Sequence, residues 1–141
     1  MIQHLNQIGT SLGIKFDFNR PSVVSSTINA HRLLMKLGDD GANYQAQNQL
    51  KHELFRSYFE LGQDIGDLDV LKDAVRRVGV QDAIGDEFIE QGNRLDDEYR
   101  LRVLTMNKVA RHEQGITGVP FFTFNKKLTV SGGQETSVFL N

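Results

Sequence analysis

Side chains that ordinarily do chemistry are thinly spread in this 141-residue chain, and cysteine is missing altogether. Disulfide exchange needs a thiolate to attack sulfur, so the chain carries no nucleophile for it. Thiolate ligation of zinc or of an iron–sulfur cluster is excluded on the same ground. His4, His31, His52 and His112 stand far apart, with no HExxH pair, so no metal-ligand spacing emerges. His31 sits beside Arg32 and reads as a polar residue on a helix flank. Asp96, Asp97 and Glu98 are consecutive carboxylates. Adjacent residues on a helix point in different directions, so they read as a solvated first turn, not as a cation site. Gly115-Ile116-Thr117-Gly118 lacks the GxxxxGK(S/T) pattern and precedes a strand, which rules against a phosphate loop. Ser131-Gly132-Gly133-Gln134 does precede a helical segment. Its amides offer an anion contact, and its plainer reading is a helix cap with a tight turn.

What remains is a stretch near the end, Gly115 to Phe124. Val119 and the apolar run Phe121, Phe122, Phe124 suit a buried strand, with Pro120 at its mouth. Proline removes a ladder donor, so Pro120 belongs at a strand start or on an edge. Asn125-Lys126-Lys127 interrupts the run and Leu128-Thr129-Val130 resumes it, which predicts a hairpin with a short polar turn. Val138-Phe139-Leu140 closes the chain as a last apolar segment.

Helices must position that hairpin. Ile2, Leu5, Ile8 and Leu12 predict a short amphipathic helix, with Gly13 as its stop. Ile14 to Phe18 is a short extended segment or an ordered loop, broken at Asn19-Arg20-Pro21. Ser25, Ser26 and Thr27 offer an N-cap for a helix carrying Ala30, Leu33, Leu34 and Leu37, closed by Gly38-Asp39-Asp40-Gly41. A third helix is predicted over 43–61, with Leu50, Leu54, Tyr58 and Leu61 inward. Asp67 caps a fourth, and Gly79 sits where a left-handed C′ residue belongs. A fifth, over 81–91, holds Ile84, Phe88 and Ile89. A sixth runs from about Leu95 to His112, acidic at its start and basic at its end, with Tyr99, Val103, Met106 and Ala110 as its stripe.

The length suits one domain with a single core. Apolar residues at 39% and charged residues at 24% are ordinary for a soluble protein. A net charge of −2 with no basic stripe lacks the footprint of nucleic-acid binding. No apolar run reaches the ~20 residues that span a bilayer. The first residues lack the charged start and apolar core of a signal peptide, so a cytoplasmic protein is expected.

Gly-Ile-Thr-Gly-Val-Pro-Phe-Phe, a turn, then Val-Ser-Gly-Gly-Gln resembles the carboxyl-terminal half of DsbA-like thioredoxin-fold proteins. The branch it resembles is the FrnE-like dithiol-disulfide oxidoreductases, related to 2-hydroxychromene-2-carboxylate isomerases and kappa-class glutathione transferases. Ala30-His31-Arg32-Leu33-Leu34, Leu54-Phe55-Arg56-Ser57-Tyr58-Phe59 and Asp64-Ile65-Gly66-Asp67 extend the likeness over nearly the whole chain. The resemblance implies an α-rich α/β fold. Residues 1–92 would be a helical insertion subdomain, and 93–141 the carboxyl-terminal part of a thioredoxin-like domain. It implies a cis Pro120 facing a catalytic dithiol, and a Val119 whose backbone pairs with a peptide or thiol substrate. It places Ser131, Gly132, Gly133 and Gln134 near a glutathione carboxylate.

The family's opening strand and Cys-Pro-x-Cys site have no counterpart ahead of Met1. The chain looks like the latter two-thirds of a member, through a shortened reading frame or true loss. Family membership without redox chemistry of its own is therefore expected, with no catalytic residue, metal or cofactor assigned. The strand over 119–124 would lack its inner neighbour. An open apolar edge is a template for pairing, so a homo-oligomer through that edge is expected. A non-catalytic module that accepts an extended peptide there is the alternative.

Overall fold

A computed structural model of the chain describes residues 2–18, 24–39 and 43–140. The expected breaks at Asn19-Arg20-Pro21 and Asp40-Gly41 lie outside them. The chain divides into two compact units, Met1–Val103 and Leu104–Asn141.

The first unit is helical. Helix α1 (Ile2–Ser11) forms where the apolar spacing predicts it. Gly9 is its buried point, because a side chain there would collide with the ring of Phe16. Ile2, Leu5, Ile8 and Leu12 nonetheless remain exposed. Helix α2 (Ile28–Asp39) ends at Asp39, inside the Gly38 to Gly41 stretch expected to close it. Helix α3 (Tyr44–Phe55) starts at Asn43, whose side chain accepts the Ala46 N–H at 3.1 Å.

Beyond Phe55, α3 passes into a π-turn, Arg56–Glu60, closed by the Leu61 N–H on the Arg56 carbonyl at 3.0 Å. Ser57, three residues after Leu54, lies on the inward line and is buried, and Tyr58, expected inward, is exposed with Phe59. The segment before α2 docks on this turn, with the Asp17 N–H donating to the Phe59 carbonyl at 2.8 Å.

Helix α4 (Leu68–Val78) begins at Asp67, which accepts the Asp69 N–H at 2.8 Å, and ends at Gly79 with φ 78°. Helix α5 is only Asp86–Glu90, because residues 81–84 form turns and Gly85 occupies the N-cap. A 3₁₀ turn, Gln91–Asn93, separates it from helix α6 (Glu98–Lys108). Helix α6 also passes into a π-turn, Val109–Glu113, in the second unit.

The core of the first unit gathers Leu33 and Leu37 of α2, Leu50 and Leu54 of α3, and Leu71, Ala74 and Val75 of α4. Ile84 and Ile89 complete it. Each of these leucine, isoleucine and valine side chains contributes on the order of 1.5–3 kcal/mol by leaving water. Lys72–Glu90 at 2.7 Å and Arg76–Asp86 at 3.0 Å link α4 to α5 on the surface.

In the second unit, strands β1 (Phe121–Phe124) and β2 (Leu128–Ser131) form a two-stranded antiparallel sheet. The register pairs Phe121 with Ser131, Phe122 with Val130, Thr123 with Thr129 and Phe124 with Leu128. Helix α7 (Thr136–Phe139) follows. None of the described residues after Val103 is fully buried.

Candidate functional site

Gly115, at φ 65°, lets the chain leave the helical segment, and the Ile116 N–H returns to the Ala110 carbonyl at 2.9 Å. Four residues later the Val119–Pro120 peptide bond is cis, and Val119 is 88% exposed. The Pro120 carbonyl accepts the Gly132 N–H at 2.8 Å, which extends the β1–β2 register by one pair. Pro120 has no N–H to return, so the ladder ends there.

This bond fixes which backbone groups face outward. In an antiparallel pair, alternate residues direct both their N–H and C=O toward the partner strand. Residues 120, 122 and 124 point toward β2. The N–H and C=O groups of Phe121 and Thr123 therefore lie on the outer edge of β1, with those of Val119 beyond the proline. Among the described residues, no hydrogen bond from another element reaches that edge.

The turn closing the hairpin runs from Phe124 to Lys127, whose N–H donates to the Phe124 carbonyl at 3.0 Å. Asn125 and Lys126 both have positive φ, 51° and 58°. That pair of left-handed residues gives the twist that closes a tight hairpin. Asparagine tolerates this conformation better than most residues, and lysine carries some strain there. The side chains of Phe122 and Phe124 share one face of the sheet. Phe139 of α7 meets them edge-on, with ring centroids 5.3 and 6.4 Å away. All three rings keep about two-fifths of their surface in water. Lys108, Arg111, Lys126 and Lys127 outnumber Glu113 and Glu135, so this unit is basic while the first is acidic.

The segment after β2 is committed largely to itself. The Gly132 N–H is taken by Pro120, and the Gln134 side chain donates to the Ser131 carbonyl at 2.9 Å. Gly132 holds φ 82°. Helix α7 has only four residues and no side-chain cap, so its end focuses little dipole field. Val119, Pro120 and Ser131 to Gln134 thus belong to one hairpin end, joined by the Pro120–Gly132 bond.

The other candidate residues do not assemble. His4, His31, His52 and His112 are all exposed on separate elements. No group of acidic or histidine residues among the described ones has metal-holding geometry. Asp96 pairs with Arg94 at 3.1 Å on the surface, and that guanidinium holds its carboxyl below the usual range. Asp97 turns inward to Arg32 instead.

That second pairing builds a polar cluster which the sequence reading did not assemble. Arg32 is fully buried on α2. Its Nε and Nη2 reach the two Asp97 oxygens at 2.7 Å each, and Nη2 also reaches the Phe88 carbonyl at 3.3 Å. Its guanidinium lies 4.5 Å over the Phe88 ring. Asp97 also caps α6, accepting the Arg100 N–H at 2.7 Å. The Arg32 hydrogen bonds, helped by that amide and against the cost of burial, hold the Asp97 carboxyl below its usual range. Gly92 lies against this cluster, where any β-carbon would meet Asn29 Oδ1 and Arg32 Nη1.

The DSBA-like thioredoxin domain family model matches residues 1–141. No curated protein matches the chain. Among the described residues, no helix is long and apolar enough to cross a membrane.

Proposed function

The chain belongs to the family of DSBA-like thioredoxin domains, and from that premise we propose that it is a FrnE-like member without redox chemistry of its own. The family points to thiol-disulfide oxidoreduction. That reaction begins with a thiolate, and the chain has no cysteine to supply one. What the hairpin retains is a means of binding. The observation that carries this reading is the outer edge of β1, where the amides and carbonyls of Phe121 and Thr123 face away from β2. Beside it lie exposed Val119, Phe122 and Phe124.

An edge of this kind pairs with another strand. The proposed occupant is β1 of a second copy, paired antiparallel across a two-fold axis, so that the same patch serves both partners. A two-stranded sheet alone is marginal in water, and a four-stranded one is not. Light scattering across micromolar concentrations tests this, and a monomer throughout overturns it. Redox inactivity is tested separately, by insulin reduction with dithiothreitol. No rate above the uncatalysed one is expected, and clear turnover by pure protein contradicts the proposal.

A second reading is favoured by the exposure of Val119 beside Pro120. An extended peptide would add to the same edge by β-augmentation. Stabilisation by peptide, lost when Thr123→Pro disrupts the edge, would distinguish this reading from self-association.

A further inference from the structure

Strand β1 offers few outward groups, and their positions narrow how it can pair with a copy of itself. The N–H and C=O of Phe121 and Thr123 face outward, because residues 120, 122 and 124 are turned toward β2. The edge is limited at both ends. On one side Pro120 stands ahead of the first strand residue. On the other, Asn125 and Lys126 leave the extended conformation, at φ 51° and 58°.

A two-fold axis between antiparallel copies can pass opposite only a few residues. With the axis at Phe121, each Thr123 would need Val119 of the second copy, which lies outside the strand, beyond Pro120. With the axis at Thr123, each Phe121 would need Asn125, which the turn has carried out of extended backbone. With the axis at Phe122, Phe121 of each copy lies opposite Thr123 of the other. Every outward N–H and C=O of both strands then finds its partner inside the strand, which is what an open edge lacks. Charge acts in the same direction. Lys126 and Lys127 follow the strand, so the lysines of the two copies lie at opposite ends of the pairing. Any slip toward the turns draws these like charges together.

We infer that β1 pairs with its own copy in the register centred on Phe122, so that Phe122 meets itself across the axis. This rests on the self-pairing proposed above and adds its register and contacts. The two Phe122 residues form a non-hydrogen-bonded pair, the closer kind, with Cα atoms about 4.5 Å apart. Directly opposite residues project from the same face of a sheet, and aromatic pairs placed so are stabilising. The two Phe122 rings therefore join the face that already holds Phe124 and Phe139. Phe124 comes opposite Pro120 of the second copy on that face, and Phe121 opposite Thr123 on the other. The 40% of Phe122 that is exposed is the surface this contact covers.

The chain has no cysteine, so single introduced cysteines report the register without background. A disulfide needs Cα atoms roughly 4.4–6.8 Å apart. Under mild oxidation of the full chain, Phe122→Cys should cross-link to itself about tenfold faster than Phe121→Cys or Thr123→Cys alone, whose like positions lie about 7–8 Å apart on the diagonal. A mixture of Phe121→Cys and Thr123→Cys, which keeps Phe122 intact, should give the mixed dimer beyond its statistical share. Mass spectrometry reads the products, and light scattering of the reduced samples reads assembly separately. A dimer in which Phe121→Cys or Thr123→Cys links to itself fastest, or in which no position stands out, overturns the register and leaves self-pairing in place. Monomers throughout overturn both. If Phe122→Cys itself does not assemble, the mixture decides, and a merely statistical share of mixed product overturns the register.

Discussion

The two units spend their apolar residues in opposite ways. In Met1–Val103, leucines, isoleucines and valines from four helices close over one another and leave water. In Leu104–Asn141, phenylalanines of comparable size cluster together but keep a broad face wet. Both units carry ample hydrophobic sequence. What differs is the number of layers each has to set against it. The helical unit sets α2, α3 and α4 around one core, while among the described residues of the hairpin unit α7 packs against the face of Phe122 and Phe124. An aromatic side chain stabilises in proportion to the area it removes from water. The hairpin's phenylalanines, each about two-fifths exposed, therefore contribute less to this chain than fully buried side chains of that size would.

The sharpest way to break the contrast is at Asp97. Asp97→Ala leaves the Arg32 guanidinium buried without its counter-charge, and should cost roughly 3–5 kcal/mol in urea unfolding of the helical unit. Leu33→Ala or Leu50→Ala, at positions with no exposed surface, should cost about 2–5 kcal/mol by the same measurement. Asp67→Ala, which removes the α4 cap, should cost about 1 kcal/mol. Phe124→Ala in the hairpin should cost about 1–2 kcal/mol in dilute, unassociated protein, since its side chain is already 44% exposed. A loss of 3 kcal/mol or more there would erase the distinction between the units. At higher concentration the same variant should weaken self-association, and a concentration series of melting temperatures would separate the two effects.

Acid sharpens the comparison further. The Asp97 carboxyl is held below its ordinary value of 3.8 by Arg32. A folded-state value below the unfolded one gives stability that is present above pH 3.8 and lost as pH falls through the folded value. The helical unit should therefore lose stability in acid below that point, and Asp97→Asn should flatten this part of the pH profile. Equal acid sensitivity in the variant would place the effect elsewhere.

Local signals were legible wherever one residue decides the geometry. Asp67 and Gly79 bound α4 as their chemistry dictates, and the polar break at 125–127 turns the hairpin. Signals failed where geometry depended on distant residues. Tyr58 was expected inward, but Ser57, seven residues after Leu50 and three after Leu54, is the one on the buried line, and Tyr58 is exposed. The fifth helix shrank to Asp86–Glu90, because Ile84 reaches the core from a turn. Arg32 and Asp97 are 65 residues apart, and three adjacent acids give no hint which one turns inward. Of the hairpin end, the proline and its strand could be read directly. The outward alternation of Phe121 and Thr123 needed the Pro120–Gly132 bond to set its phase.

Gly92 shows what such packing imposes on variation. Its neighbour Gln91 is only half-buried and Asn93 accepts the Asn29 side-chain amide at 3.2 Å, while position 92 has Asn29 and Arg32 where a methyl group would go. In a saturation library spanning 90–95, that column should be nearly empty of survivors among well-filled ones. Alanine, the mildest alternative, would already be rejected.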